Sequence, residues 1–86
     1  MEIILLPAAQ EHLLYWQKEN QRIIIKKMTI LIEAILKDPY NGIGKPEPLK
    51  FQLSGKWSRR IDKKNRLIYL IENDTIFIYS CKGHYL

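Results

Sequence analysis

Few side chains in this chain could do chemistry, and most of them lie beyond residue 44. Glu47 sits in the run KPEPLK, residues 45–50, where Pro46 and Pro48 stiffen the backbone on either side. Arg59, Arg60 and Arg66 follow, on segments that read as neighbouring strands. His84 and Tyr85 come after the last apolar run. A carboxylate, an imidazole and several guanidinium groups, if the fold gathers them, make the cutting of RNA possible, because RNA brings its own nucleophile in the 2′-hydroxyl. That reaction needs a base for the 2′ proton and an acid for the leaving 5′-oxygen. It also needs cations for the charge that grows on phosphorus.

Other chemistries find no support. His12 and His84 are the only histidines and Cys81 is the only cysteine, so no zinc-ligand spacing exists. There is no P-loop and no obvious carboxylate pair. We therefore expect no metal and no cofactor. Each candidate also has a plainer reading. Glu47 could be a solvated loop acid, and Lys50 a strand-edge lysine that discourages aggregation. Arg59 and Arg60 face opposite sides of one strand, so at least one should be a surface charge. Trp57 reads as core, and His12 receives no role.

The charge is unevenly placed. Of the net +5 carried by 86 residues, residues 1–44 contribute nothing, because acids and bases balance there. The whole excess falls in residues 45–86, a bias that suits a polyanion such as nucleic acid or an acidic protein. No run is apolar for the ~18 residues that a membrane span needs. The opening MEIILLP lacks the form of a secretory leader. With one cysteine and no possible internal disulfide, a cytoplasmic setting is expected.

The elements that must position these groups follow from periodicity, and the length suits one domain, 1–86. Residues 2–6 read as a strand ended by Pro7, and residues 7–19 as a first helix. A second helix runs to residue 37, with Asn20 as its N-cap and Ile23, Ile24, Met28, Leu31, Ile35 and Leu36 at helical spacing. Ile25, Ile30 and Ile32 widen its apolar stripe, which invites a partner or a homodimer. Asp38-Pro39 stops the helix and opens a loop over 39–48. Residues 49–53, 57–62, 66–72 and 75–81 read as strands joined by short turns. The plan is α+β, two helices on one face of a mostly antiparallel sheet, with the other face partly open for a site. With 66–72 central, Arg66 and the segment around His84 fall at opposite ends of an adjacent pair.

The motifs KPEPLK at 45–50, LSGKWSRRID at 53–62, RLIYLIE at 66–72 and CKGHY at 81–85 resemble the YoeB toxins of the RelE-like superfamily. LLYWQ at 13–17, RIIIKK at 22–27 and the DPYNGIGKPEP stretch fit as well. The resemblance implies the toxin of a bacterial type II toxin–antitoxin pair, an endoribonuclease that enters the ribosomal A site and cleaves mRNA there without a metal. It implies Glu47 as general base, His84 as general acid, Arg66 as clamp on the scissile phosphate and Tyr85 as an orienting or stacking group. Lys50, Arg60 and Arg59 would bind RNA phosphate. The implied partners are a cognate YefM/Phd-like antitoxin, ribosomal RNA and mRNA, with operator DNA reached only through the antitoxin. The sequence departs from the family at Asn65, where histidine is frequent, and at Leu86, which follows the HY pair. The alternative is a RelE-like module that binds RNA or protein without cutting and serves mainly in repressor assembly.

Overall fold

The computed structural model describes residues 1–84; Tyr85 and Leu86 lie outside the described residues. β1 (Glu2–Leu5) leads into α1 (Pro7–Lys18), with Pro7 in the first turn, where its missing N–H leaves no orphan. Asn20 then takes φ +54, a left-handed conformation that asparagine tolerates. Its N–H donates to Gln17 O at 3.2 Å, and the Gln21 N–H donates to Trp16 O at 2.9 Å. These two bonds make a Schellman ending for α1. Asn20 thus closes the first helix and does not cap the second. α2 (Arg22–Lys37) starts from Gln21, which makes no side-chain cap.

β2 (Glu47–Pro48), β3 (Trp57–Arg60), β4 (Arg66–Glu72) and β5 (Thr75–Ser80) complete a five-stranded sheet in the order β1-β5-β4-β3-β2. All pairings are antiparallel except β1 with β5, which is parallel. The strand expected over 49–53 is displaced. It is the shorter Glu47–Pro48, and Phe51–Leu53 forms a 3-10 turn instead. Phe51 has φ +58, which no strand residue adopts. Pro48, lacking an amide donor, is tolerated because β2 is an edge strand.

The helices cover one face of the sheet, as expected for the α+β plan. Ala9, Trp16, Met28, Leu31 and Ile35 pack with Leu67, Tyr69, Ile76 and Ile78 in one buried cluster. Burying each large aliphatic chain contributes roughly 1.5–3 kcal/mol. Strand alternation sends Ser58, Arg60, Arg66 and Ile68 to the opposite face. Along α2, Ile23, Ile30 and Leu36 remain exposed, the surplus apolar surface anticipated for this helix. β5 carries one residue more than β4 opposite Ile68 and Tyr69, so Tyr79 bulges between Ile78 and Ser80.

Candidate functional site

The site is assembled by two segments that reach it from different directions. The first is the loop after α2, and its organiser is Arg59. Trp57, Arg59 and Ile61 share the helix-covered side of β3, so the Arg59 side chain enters the core, fully buried. Its guanidinium donates to the carbonyls of Asp38 (2.6 Å), Asn41 (3.0 Å) and Ile43 (3.1 Å) and to Tyr69 Oη (3.1 Å). Tyr69 in turn donates its hydroxyl to Pro39 O at 2.6 Å, and burial pushes its pKa up, which keeps that proton in place. A buried cation needs such a set of acceptors, and here the loop backbone supplies them.

The loop is wound closely on this peg. A Cβ on Gly44 would lie 2.8 Å from Leu31 Cδ2 and 3.1 Å from Arg59 Cβ, so only glycine fits. The Arg60 N–H donates to Gly44 O at 2.6 Å. At the loop's entrance Asp38 accepts the N–H groups of Tyr40 (3.0 Å) and Asn41 (3.2 Å). The Tyr40 bond leads the causes that hold its carboxyl below the usual range. The loop then delivers Lys45, at φ +50, and the edge strand β2.

The second segment follows β5. Arg66 begins β4, and its N–H donates to Gly83 O at 3.0 Å. The antiparallel pairing of Ile68 with Ser80 puts Arg66 and the approach to His84 at the same end of the pair. The expectation of opposite ends is therefore corrected: antiparallel strands bring the start of one to the finish of the next. The Asn65 Oδ1 accepts the Gly83 N–H at 3.0 Å, and the Asn65 Nδ2 donates to Asp62 at 3.1 and 3.2 Å. Further back, His12 Nδ1 accepts the Cys81 N–H at 3.2 Å and the Trp16 indole donates to Cys81 O at 3.0 Å. His12, given no role from sequence, anchors the root of this segment.

Between the two segments lies a cleft of about 180 Å³ lined by Lys45, Glu47, Leu49, Ser58, Arg60, Arg66 and His84. Glu47 pairs with Ser58 across β2–β3, and Arg60 stands directly opposite Arg66 across β3–β4. Like charges in that register repel. Among the described residues neither arginine, nor Lys45, has a carboxylate oxygen within 4.0 Å. Arg66 Nη1 is held by Asp62 O at 2.7 Å, with Asn65 O at 3.2 Å and Lys63 O at 3.4 Å, which fixes the guanidinium at its back. Three cations with no close ion pair among the described residues, set around one carboxylate and one imidazole, form a receptor for an anion with acid–base groups beside it.

Glu47, Arg60, Arg66 and His84 thus line one cleft. Arg59 is not among them. The expectation that it binds phosphate is corrected, because its side chain is buried and its donors are committed to the loop. Lys50 is exposed but does not line the cleft; its carbonyl accepts the Leu53 N–H at 3.1 Å. Tyr85 lies outside the described residues. Lys45 and Ser58 were missed. The signal for Lys45 was its place in KPEPLK beside Glu47, and for Ser58 its alternation with Arg60 on the open side of β3. Cys81 is buried with its thiol pushed up to about 11 by desolvation, so it takes no part.

Known proteins add an independent line. The family described as "YoeB-like toxin of bacterial type II toxin-antitoxin system" matches residues 6–85. Toxin YoeB of Escherichia coli K12 is 44% identical over 85 residues, 99% of this chain and 100% of that one. Toxin YoeB of Synechocystis is 50% identical over 70 residues, 81% of each chain. The YoeB dimer of Staphylococcus aureus superposes with a TM-score of 0.90 at 41% identity, covering 99% of this chain and 98% of that one. The same toxin has been solved in a heterotetrameric YoeB–YefM toxin–antitoxin complex, with a TM-score of 0.89.

Proposed function

The chain belongs to the YoeB-like toxins of bacterial type II toxin–antitoxin systems, and from that premise we propose that it is a ribosome-dependent endoribonuclease cutting mRNA in the A site. The observation that carries this reading is the cleft, where Glu47 and His84 share one small space with Lys45, Arg60 and Arg66.

Glu47 takes the proton of the 2′-hydroxyl, and the 2′-oxygen attacks phosphorus. The bond from phosphorus to the 5′-oxygen breaks, leaving a 2′,3′-cyclic phosphate, and His84 protonates the departing oxygen. Arg66 meets the phosphate with the part of its guanidinium not held by the turn carbonyls. Arg60 and Lys45 add charge to the same place, and that charge is worth more in a partly desolvated cleft than in water. Tyr85 orients or stacks against the substrate. The nucleophile comes from the RNA, so the reaction proceeds without a metal.

This reading makes the partners an antitoxin of the YefM kind, the ribosome and its mRNA, with operator DNA reached through the antitoxin, and it places the toxin in the cytoplasm. The exposed apolar residues of α2 suit a homodimer like the Staphylococcus aureus one or cover by the antitoxin. The test is a cell-free translation reaction followed by primer extension on the message. Cuts within translated codons are expected, and chelation of metal at levels that spare the ribosome should leave them. Full-length mRNA in the presence of the toxin would refute the reading.

A further inference from the structure

We propose that Asn65, with Asp62 behind it, is a positioning residue that sets the reach of His84 into the cleft. This rests on the reading of His84 as general acid. Asn65 is nearly buried, and every polar atom of its side chain is used. Its Oδ1 holds the Gly83 N–H, one residue before His84, while the Arg66 N–H holds the Gly83 carbonyl. Both polar groups of one peptide-chain residue are therefore pinned to the start of β4, beside the arginine that faces the phosphate.

The amide of Asn65 is itself fixed. Asp62 accepts the N–H groups of Lys64 and Asn65 at 2.8 Å and both contacts from Asn65 Nδ2. The Asn65 carbonyl accepts the Ile61 N–H at 3.0 Å and Arg66 Nη1 at 3.2 Å. One side chain thus joins the turn that backs Arg66 to the segment that carries His84. Gly83, at φ +94 and in open space, offers the backbone freedom that a link of this kind must restrain. Releasing it leaves the imidazole tethered but unaimed, and a misplacement of about 1 Å costs on the order of a hundredfold in rate.

A residue that aims the acid matters only when the leaving group needs a proton. The experiment compares two synthetic mRNAs loaded on ribosomes, one normal and one with the scissile 5′-oxygen replaced by sulfur. In the second, the phosphorus–sulfur bond breaks and a thiolate leaves without protonation. Asn65→Leu, which keeps the volume and removes the polar contacts, should slow single-turnover cutting of the oxygen substrate by about tenfold to a hundredfold. On the sulfur substrate it should run within about threefold of wild type, the outcome also expected of a variant missing only the acid. The exchange Asp62→Asn with Asn65→Asp keeps acceptors for the Gly83 N–H and for the two turn amides and reverses the contact to Asp62 Oδ2, giving up only the one to Oδ1, and should restore the oxygen rate to well above that of Asn65→Asp. Asn65→Asp alone, which sets two carboxylates together, should stay slow.

Equal slowing on both substrates, no slowing at all, or failure of the double exchange to restore would each overturn the proposal. If Asn65→Leu does not fold by circular dichroism, the exchange against Asn65→Asp decides alone. A wild-type protein that cuts neither substrate would instead refute the endoribonuclease reading.

Discussion

The two segments that build the cleft are held in opposite ways. The loop carrying Lys45 and Glu47 is wound around a buried guanidinium, with three backbone carbonyls and a tyrosine hydroxyl on one side chain. The segment carrying His84 runs over the surface, gripped at Gly83 by Asn65 and Arg66 and at Cys81 by His12 and Trp16. The first arrangement links the candidate base to the stability of the core. The second leaves the candidate acid dependent on a few bonds that can be lost without unfolding the protein. Damage to the loop should therefore show in stability first, and damage to the tail in rate first.

The sharpest way to separate site from scaffold is Arg66→Ala. It should slow cleavage by about a hundredfold or more while the folded state survives, measured by primer extension beside circular dichroism. Near-normal cutting would remove Arg66 from the site. Next in size is the contrast between the adjacent arginines. Arg59→Leu strands the carbonyls of Asp38, Asn41 and Ile43 together with Tyr69, and should cost about 3 kcal/mol or more in urea unfolding. Arg60→Ala should fall within about 0.5 kcal/mol of wild type and weaken RNA binding instead. Equal unfolding midpoints for the two variants would show that Arg59 is not the peg of the loop.

The smallest effect concerns the root of the tail. Burial, and then the charge of Lys82, lower the His12 pKa below its usual 6.5. The unfolded chain takes up that proton more readily than the folded one. The stability linked to His12 is therefore complete above 6.5 and is lost as pH falls through and below it. Asp38 and Asp62, lowered from 3.8, titrate well below that window. The protection factor of the Cys81 amide, corrected for the intrinsic exchange rate at each pH, should be lower at pH 5.5 than at 7.5, with little change in the loop. Unchanged protection would mean that the His12 bond does not secure the segment.

Much of this arrangement could be read from the residues. Helical spacing gave both helices, and the turn residues gave the β3–β4–β5 meander with its open face. Family motifs gathered Glu47, Arg66 and His84 before any distance was known. Alternation alone said that Arg59 and Arg60 part company, without saying which goes inward. Trp57 and Ile61 on the same parity as Arg59 carried that answer. The run LKFQL mimics a strand, but local propensity has no view of the register that pairs Glu47 with Ser58. Nor did anything local reveal that Asn20 ends one helix without starting the next, because the same residue type favours both positions.

The parallel pairing of β1 with β5 has a consequence for a chain made in order on the ribosome. Glu2–Leu5 are made before every other element, yet the strand they pair with among the described residues, Thr75–Ser80, is made after all the other strands of the sheet. Glu47 likewise leaves the exit tunnel well before His84. Neither the sheet's outer edge nor the cleft can be complete before Thr75–Ser80 and His84 have been translated.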